Sequence, residues 1–582
     1  MSLLSTALSP QERQEALVDL ASTEFDVLVI GGGVVGAGAA LDAASRGLRV
    51  ALVEARDLAS GTSSRSSKLI HGGLRYLKQL NFSLVFEALR ERKLMLETLC
   101  PHLVRPVRFI YPLERPFVDR AYVGAGVGVY DVLGAGRGVP SHLKHLSKKS
   151  TLNSFRGGKK GAIHGGIMFY EGQVDDARHT MMIARTAAAY DARVTTSTRV
   201  TGFLREGERV VGATVVDLES GRELEVRAKV TVNAAGVWTD EIQSMVGGRG
   251  SFRVTASKGV HVVVPRDRID SDTGLITETE KSLLFIIPCP WSDDFWVIGT
   301  TDTPWDLDLA HPAASQSDID YILDHANSLL QKPLTRDDVV GVYAGLRPLL
   351  AGESDQTSKL SREHAVVAPV PGLVIVAGGK YTTYRVMAED AIDAAAEQLP
   401  GKVRRSITQR VPLLGAEGYL ALSDNRDRLA EETGLPRGRI NHLLGRYGSL
   451  IKEIVALIRQ DPTLGEPLES APIYLKAEAV YAVSHEGALH LDDILARRTR
   501  ISVDTWDRGT AAAAEVADLV APLLGWDEAA VVNEVEHYRA RVEAERESQR
   551  LPDDRTADAA RMGAPEVRVG ADHPAERGST DS

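Results

Sequence analysis

Cysteine is scarce in this chain of 582 residues: Cys100 and Cys289 are the only two. Their number and spacing exclude a disulfide framework and a CxxC metal or thiol-redox site, and they weakly indicate a reducing compartment. Long apolar runs are also lacking, since no run reaches the roughly 18 residues that a membrane-spanning helix needs. The N-terminus does not have the basic and apolar stretches of a secretory signal, so none is predicted.

Positive charge is not in excess. Lys and Arg number 68 against 79 Asp and Glu, which gives a net charge of −11. Nucleic-acid binders present a basic face, so no nucleic-acid partner is expected. The apolar content of 43% and the charged content of 25% are those of an ordinary globular protein. The length predicts about three to five domains.

The two ends of the chain differ from its middle. Residues 1–23 are predicted to form a leader helix, because Ser9-Pro10-Gln11-Glu12 resembles a capping box with proline at the first helical position. Residues 400–411 have the composition of a linker, and 412–545 carry helical patterns. Large apolar residues are rare beyond 546, which predicts a disordered tail over 546–582.

A glycine-rich turn follows the first buried strand, 25–30. Gly31, Gly33 and Gly36 fit G-x-G-x-x-G, and a second buried strand ends at Glu54. This context predicts a dinucleotide site: Gly31 allows the tight turn, Gly33 lets the backbone approach a pyrophosphate, and Gly36 lets the helix pack closely. The helix N-terminus attracts the phosphates. Glu54 would accept hydrogen bonds from the ribose, so NADP is not expected.

FAD and NAD share this fingerprint, and the rest of the chain favours FAD. A polar segment, 60–77, interrupts the βαβ pattern, and a buried strand followed by glycines returns late, at 373–377. A cofactor that contacts an early and a late segment is a long one. Non-covalent FAD is therefore predicted, although His71 has the chemistry for a covalent link.

Cations beside glycines or strand ends recur in four segments. The first, 63–76, is dense in serines and backbone donors that suit a pyrophosphate or a flavin edge. Several of these segments converging would form a pocket for a small phosphorylated or carboxylated substrate. The three later segments are Ser257-Lys258-Gly259-Val260-His261, Gly345-Leu346-Arg347-Pro348 with Ser361-Arg362-Glu363 after it, and Gly378-Gly379-Lys380-Tyr381-Thr382-Thr383-Tyr384-Arg385.

Seven motifs occur in order along the chain: GGGVVG, SSKLIHGGLRYL, NAAGVW, SKGVHVVVP, IGTTDT, AGLRPL and GGKYTTYR. They resemble those of the FAD-dependent glycerol-3-phosphate dehydrogenases of the bacterial type, and residues 480–499 resemble that family's helical-domain signature. The resemblance covers about residues 24–545. It implies an α/β fold in which a Rossmann-like FAD-binding domain (24–102, 166–238 and 365–399) is interleaved with a β-sheet-rich substrate or cap domain (103–165 and 239–364). An α-helical C-terminal domain, 412–545, follows.

The resemblance also implies an activity. Members oxidise sn-glycerol 3-phosphate to dihydroxyacetone phosphate, pass a hydride to FAD N5, and send the electrons on to membrane quinone. They are cytoplasmic enzymes that associate peripherally with the inner face of the cell membrane, often as homodimers. No EF-hand calcium loop occurs in the sequence, and no metal is expected.

Site residues follow from the matching motif positions. Arg75, Tyr76, Arg362 and Lys380 are expected to bind substrate, and Arg347 is expected to be essential and to hold the alkoxide. The chemistry also needs a base for the hydroxyl proton, which stays open between His71 and His261. FAD contacts are predicted at Gly31, Gly33, Gly36, Glu54, Ser63, Ser64, Ser66, Ser67, Lys68, His71, Val200, Ala235, Gly236, Trp238, Gly379, Lys380, Tyr381 and Thr382.

Other functions remain open at this point. A glycerol-3-phosphate oxidase would share the FAD motifs but reduce oxygen to hydrogen peroxide. An amine or amino-acid oxidase of the same flavoprotein class would bind a carboxylate, for which one arginine can suffice. A non-catalytic flavoprotein or an RNA-modifying scaffold is disfavoured by the net charge and by the four candidate cations.

Overall fold

Two large β-sheets form the frame of the protein. The computed structural model describes residues 7–71, 82–113, 144–247, 253–280, 282–351, 364–564 and 566–568. The first sheet contains β1 (Phe25–Ile30), β2 (Val50–Val53), β7 (Arg193–Thr195), β8 (Thr198–Glu206), β9 (Arg209–Asp217), β10 (Glu223–Asn233), β17 (His364–Val370) and β18 (Leu373–Gly378). The second contains β3 (Leu69–Ile70), β4 (Arg105–Pro112), β5 (Lys144–Ser147), β6 (Gly165–Gln173), β11 (Val254–Pro265), β12 (Gly274–Glu278), β13 (Leu283–Pro288), β14 (Phe295–Gly299), β15 (Thr303–Trp305) and β16 (Gly341–Leu350).

Helices pack against both faces of the first sheet, so its central strands are buried on both sides. The strand order is β17-β18-β10-β1-β2-β7, and β18, β10, β1, β2 and β7 run parallel. Strands buried on both faces are rich in valine, isoleucine and leucine, as β1 and β2 are. Within the described ranges, eight helices lie outside the C-terminal domain: α1 (Pro10–Ser22), α2 (Val34–Ser45), α3 (Phe82–Leu94), α4 (Lys148–Ser154), α5 (Asp176–Ala189), α6 (Thr239–Ser244), α7 (Gln316–Leu329) and α8 (Tyr384–Ala396).

Small residues let three of these helices pack closely on the sheet. Alanines of α2 are buried together with Met181 and Met182 of α5, Ala391 of α8 and Val29 of β1. The opposite face of the sheet packs against α1 and the β8–β9–β10 hairpins. Helix α1 begins as predicted, with Pro10 in its first turn and the Ser9 hydroxyl accepting from the Glu12 amide at 3.2 Å.

The second sheet is mostly antiparallel and carries a core on each face. Its longest strand, β11, pairs with β14, β15 and β16, and α7 packs over the core that surrounds Trp296. The prediction that residues 103–165 belong to this lobe agrees with β4 and β5. The predicted boundary at 166 differs from the structure: β6 pairs with β4, β5 and β3, so it belongs to the second sheet, not to the FAD-binding one.

The C-terminal region is helical, and its ordered part is longer than predicted. Residues 546–564, expected to be disordered, contain the end of α16 and all of α17, because carboxylates of this segment pair with buried cations. Asp554 contacts Lys258 Nζ at 2.5 Å. The helices are α9 (Tyr419–Asp424), α10 (Arg426–Thr433), α11 (Arg437–Tyr447), α12 (Ile451–Gln460), α13 (Lys476–Ser484), α14 (Ile501–Asp504), α15 (Ala512–Leu524), α16 (Glu528–Ser548) and α17 (Asp554–Arg561).

The α/β class, with two interleaved sheet domains and a helical C-terminal domain, is therefore confirmed. Throughout the described ranges, no helix is both long and apolar enough to cross a bilayer. Cys100 and Cys289 are buried free thiols, and burial raises the pKa of both above their ordinary value.

Candidate active site

The carboxyl ends of three parallel strands meet at the glycine-rich turn. β1 ends at Ile30, whose carbonyl accepts from the Ala234 amide at 2.9 Å just beyond β10. β18 ends at Gly378 on the far side of β10, where Gly378 and Gly379 both adopt positive φ. Open α/β sheets bind ligands at this edge. The early and the late glycine segments predicted from the sequence thus lie at the same edge of one sheet.

The turn is shaped for a phosphate-bearing cofactor, because side chains have no room in it. Gly31 has φ +109°, and a Cβ there would lie 2.8 Å from the Ala234 carbonyl oxygen. A Cβ on Gly36 would lie 1.9 Å from the Gly31 carbonyl oxygen. Gly33 precedes α2, whose first amide, on Val34, donates to Ser63 Oγ at 2.9 Å. These residues fit FAD: bare backbone and a helix N-terminus face the site where a pyrophosphate would bind.

Glu54 follows β2 and closes the adenosine side of this turn. Its Oε2 accepts from the Gly32 amide at 2.6 Å, and its Oε1 accepts from the Arg56 amide at 2.9 Å. Burial raises the pKa of Glu54 above its ordinary value, although both amides lower it. Nearby, the Arg56 guanidinium lies 5.9 Å from the centre of the Trp238 ring. The contacts of Glu54 and Trp238 with FAD remain predictions.

A second cluster lies on one face of the β11–β16 pair. His261 is opposite Tyr343, and Ser257 is opposite Arg347, so residues two apart along these strands share this face. The His261 and Tyr343 rings stack at 4.8 Å with 12° between their planes. Arg347 Nη2 donates to Thr300 Oγ1 and to the Thr301 carbonyl, both at 3.1 Å.

Three glycines leave no room for a side chain at their positions on this face, so neighbouring groups approach the backbone closely. A Cβ on Gly259 would lie 2.5 Å from Arg347 Nη2, and one on Gly299 would lie 2.2 Å from the His261 ring. A Cβ on Gly345 would lie 2.7 Å from Arg65 in the loop that follows the dinucleotide turn. Arg347 and His261 therefore lie flat along the strands, and the 61–68 loop packs directly against them.

His261 is electrically neutral at physiological pH. Burial lowers the pKa of the imidazole well below its usual value, and the positive charges of Arg347 and Lys68 lower it further. Its Nε2 is 2.9 Å from Ser67 Oγ, while Nδ1 has no hydrogen-bond partner among the residues the structure describes. A neutral imidazole has one nitrogen available to accept a proton.

The predicted loop residues 63–68 hold the two sheets together. The Ser66 amide donates to Asp176 Oδ2 at 2.9 Å, and the Ser64 carbonyl accepts from Lys68 Nζ at 2.6 Å. Lys68 is fully buried, so its ammonium points away from solvent. Burial lowers its pKa to about 8, against the raising effect of Asp176.

The late glycine segment contacts the end of this loop. Thr382 Oγ1 accepts from the His71 amide at 3.2 Å. The Tyr381 hydroxyl donates to the Asp176 carbonyl at 2.9 Å, so its ring covers the start of α5. Gly379 has φ +76°, and a Cβ there would lie 2.4 Å from Met387 Sδ. His71, Tyr381 and Thr382 thus lie beside the loop, with Lys380 next to Tyr381 in the chain, and their contacts with FAD stay predictions.

Other predicted residues lie elsewhere or cannot be located. Two cations in the singled-out segments are neutralised: Lys258 Nζ binds Asp318 at 2.6 Å, and Arg385 Nε binds Glu91 at 2.7 Å. Val200 is buried in the core beneath the β8–β9 hairpin, and its contact with FAD stays a prediction. Ala235 and Gly236 follow β10 at the carboxyl edge. Arg75, Tyr76 and Arg362 lie outside the described residues.

Sequence reasoning missed three residues of this cluster: Tyr343, Asp176 and Arg500, whose Nη2 donates to Asp176 Oδ1 at 2.9 Å. Tyr343 gave no signal of its own, since only the β11–β16 register puts it on His261. Asp175-Asp176 at the start of α5 could have been noticed as a pair of carboxylates beside the helix N-terminus. Across the described ranges, no group of three or more His, Cys, Asp or Glu is placed to hold a metal ion.

Comparison with protein families assigns the class of protein. A model described as FAD dependent oxidoreductase matches residues 26–388. A second model, described as the C-terminal domain of alpha-glycerophosphate oxidase, matches residues 406–531. The fold and the site define a flavin-dependent oxidoreductase with FAD as its cofactor.

Individual relatives narrow this class. Glycerol-3-phosphate dehydrogenase 2 of Mycobacterium tuberculosis is 58% identical over 97% of this chain and 96% of its own length. The mitochondrial glycerol-3-phosphate dehydrogenase of Bos taurus is 36% identical over 91% of this chain and 75% of its own. The FAD-complexed glycerol-3-phosphate dehydrogenase structure from Bacillus halodurans has a TM-score of 0.75, 28% identity, and coverage of 92% and 98%. The chain belongs to the family of FAD-dependent glycerol-3-phosphate dehydrogenases.

Proposed function

We propose that this protein oxidises sn-glycerol 3-phosphate to dihydroxyacetone phosphate and delivers the electrons to a quinone at the membrane surface. The observation that carries the reaction is that neutral His261 and the Arg347 guanidinium lie on the same face of the β11–β16 pair, where Arg347 lowers the pKa of His261. FAD in the glycine cradle supplies the acceptor for two electrons and the C2 hydrogen. Side chains must supply what else the reaction needs, which is a base and positive charge.

The base of this reaction is His261. The C2 hydroxyl must lose its proton as the carbonyl forms, and a neutral imidazole can take it. Its pKa, depressed by burial and by two cations, keeps the acceptor nitrogen unprotonated at neutral pH. His71, the other candidate of the sequence analysis, donates its backbone amide to Thr382 Oγ1, and the experiment below compares it directly with His261.

Arg347 and Lys380 supply the positive charge. Negative charge develops on the C2 oxygen during oxidation, and a guanidinium fixed by Thr300 and Thr301 stabilises it without reorganising. A phosphate carries two negative charges, which several cations bind better than one. Lys380 follows the late glycines, and we assign Arg75, Tyr76 and Arg362 to the same substrate by their motif positions.

Anaerobic reduction of the bound flavin tests this proposal. Glycerol 3-phosphate added under argon should bleach the flavin absorbance of the purified holoenzyme, whereas glycerol and glycine should not. His261→Gln should slow the bleaching by about 10²–10⁴-fold without loss of FAD, because it removes the base. His71→Gln tests the other candidate base and is compared with wild type at equal FAD content, because His71 is also a predicted FAD contact. Full bleaching by glycine, or equal losses in both variants, would refute the assignment.

The electron acceptor needs its own experiment, because the helical region matches a model named for an oxidase. In an oxygen electrode with glycerol 3-phosphate as the reductant, a quinone-linked enzyme consumes little oxygen, and it turns over only when a soluble quinone analogue is added as the electron acceptor. Stoichiometric peroxide without the analogue would identify an oxidase instead. Flotation with anionic vesicles tests the proposed peripheral attachment, and light scattering tests the proposed homodimer.

A further inference from the structure

A buried arginine of the helical C-terminal domain contacts the loop beside the active site. Arg500 lies directly before α14 and is 4% exposed. Its Nη2 donates to Asp176 Oδ1 at 2.9 Å and forms a closer ion pair with Asp175. Its Nη1 lies 3.4 Å from the Ser64 carbonyl, which also accepts from Lys68. The guanidinium thus joins α5 to the 64–68 loop.

Asp176 is the point at which these contacts meet. One oxygen, Oδ1, accepts from Lys68 Nζ at 2.6 Å as well as from Arg500, and the other accepts from the Ser66 amide. Asp176 is fully buried. A buried carboxylate is tolerated only when cations and donors surround it, so its position depends on all three partners.

The loop in turn holds His261. The Tyr343 hydroxyl donates to the Ser66 carbonyl at 3.1 Å, and the Tyr343 ring stacks on the imidazole. Ser67 Oγ is 2.9 Å from His261 Nε2. Lys68 Nζ lies 4.6 Å from the centre of the Tyr343 ring. A continuous set of contacts therefore runs from Arg500 through Asp176 and Ser66-Ser67 to the imidazole.

We propose that Arg500 is a positioning residue for His261: by fixing Asp176 it holds Ser67 against Nε2, so that the imidazole keeps one orientation. The helical domain then contributes to the active site without touching substrate. The inference rests on the proposed function, in which His261 is the base.

Loss of Arg500 would act through the two neighbouring carboxylates. Two cations would remain beside these carboxylates. Lys68 would still pair with Asp176, and Arg446 would still lie 3.5 Å from Asp175. With less positive charge beside them, the two carboxylates would repel each other and shift, and the Ser66 amide would move with Asp176. A displacement of about 1 Å at a reacting group can cost about 100-fold in rate. The substrate cations Arg347 and Lys380 are outside this chain of contacts.

A double-mutant cycle in stopped-flow flavin reduction tests the coupling. Arg500→Met should slow reduction by about 10- to 100-fold while changing the Kd for glycerol 3-phosphate by less than about threefold. Ser67→Ala should slow it by a similar factor. Because both act on the same hydrogen bond, the double variant should be little slower than either single variant. Arg500→Lys, which keeps the charge but not the planar fork, should restore part of the rate.

Arg178→Met is the matched control, since Arg178 is equally buried and joins α5 to the helical domain through Glu486 at 2.7 Å. It should keep near-normal reduction. Multiplicative losses in the Arg500–Ser67 cycle would overturn the inference. So would loss of FAD or of folding in both Arg500→Met and Arg500→Lys when Arg178→Met retains them, because Arg500 would then be purely structural.

The two proposals fail differently. If His261→Gln reduces its flavin at the wild-type rate, the proposed base is wrong and the positioning role falls with it. If His261→Gln is slow but the Arg500–Ser67 cycle is multiplicative, the base stands and the positioning role alone is wrong.

Discussion

Lys258 and His261 are three positions apart on β11, yet their surroundings are opposite. Successive residues of a strand face opposite sides, so an odd separation puts the two side chains on different faces. Lys258 faces Asp318 and Asp554, and its charge is neutralised there. His261 faces Arg347 and Lys68, and both cations disfavour its protonation. Within this short segment, Lys258 therefore stabilises the fold, whereas His261 is the proposed base.

This electrostatic arrangement predicts the pH dependence of flavin reduction. Burial, Arg347 and Lys68 lower the pKa of His261, so the acid limb of the profile should lie below the ordinary histidine value of about 6.5. Arg347→Gln removes one of the two cations, so the pKa of His261 rises and the limb moves to higher pH. The rate constant itself should fall about 10²–10³-fold. Single-turnover reduction between pH 5 and 8 measures both effects.

Arg347→Lys serves as the control, because it keeps the positive charge but loses the paired contacts with Thr300 and Thr301. Its rate should fall while its acid limb stays close to that of wild type. A limb that moves to lower pH in Arg347→Gln would contradict the assignment of the profile to His261.

The sequence named His261 and Arg347 because each stands in a distinctive motif. It did not name Tyr343, Asp176 or Arg500. Tyr343 reaches the imidazole through the register of β11 with β16, and Arg500 reaches Asp176 across 324 residues of chain. Motifs describe residues close in sequence, whereas these contacts depend on pairing and on domain packing.

At the scale of elements, a histidine joins a hairpin to a helix. His490 Nε2 lies 3.0 Å from Glu219, in the turn between β9 and β10, and its Nδ1 lies 2.7 Å from Glu534 on α16. Burial and Arg568 lower its pKa, but the hydrogen bonds and charges of the two glutamates outweigh them and raise it to about 9. The imidazolium therefore holds the helical domain against the first sheet.

This bridge predicts a pH-dependent stability. The folded pKa of about 9 exceeds the unfolded value of about 6.5, so the contribution is complete below pH 6.5 and is lost as pH rises through 9. It amounts to about 3 kcal/mol. Thermal melts of His490→Gln and wild type should differ most near pH 6 and converge above pH 9. His537→Gln, an exposed histidine on α16, is the control, and a constant difference at every pH would contradict the prediction.

The sequence predicts which segments are strands better than it predicts which strands pair with each other. The apolar runs of β1, β2 and β18 identify parallel strands, because such strands are buried on both faces. Nothing within β6 indicates that it pairs with β4 rather than joining the FAD-binding sheet. Its partner precedes it by about 60 residues, so the assignment depended on topology that local pattern does not contain.

At the scale of the whole molecule, the end of the chain connects all three domains. Asp554 binds Lys258 of the second sheet, and Arg568 binds Asp493 of the helical domain at 2.9 Å. Arg568 Nε also donates to Ser197 Oγ, beside the first sheet, at 2.8 Å. Over residues 546–564 and 566–568 the low apolar content that predicted disorder was misleading, because buried ion pairs hold this segment together with the packing of Ala557 and Leu551. Residues 569–582 lie outside the described residues.

Deleting residues 552–582 should therefore destabilise the holoenzyme. Lys258 and Asp493 would each lose one partner but keep another, Asp318 and Arg497, so each loss stays below the about 3–5 kcal/mol that an unpaired buried ion costs. We expect the Tm to fall by about 3–8 °C in differential scanning calorimetry. Deleting only residues 569–582 should leave the Tm unchanged. Equal melting of both truncated proteins would show that the ion pairs contribute nothing.

Asp57 forms ion pairs with Arg497 and Arg498, which come after α13 in the chain. These contacts also affect the order in which parts of the protein form during synthesis. Asp57 Oδ1 binds Arg498 Nη2 at 2.6 Å, and the two residues are 441 positions apart. A ribosome adding about 5–20 residues per second makes the second residue roughly 20–90 s after the first. Throughout that interval the dinucleotide turn exists without the arginines that neutralise its buried carboxylate. We therefore expect the flavin to bind stably only after Arg498 has been made, and a nascent chain halted before the helical domain is synthesised should remain colourless.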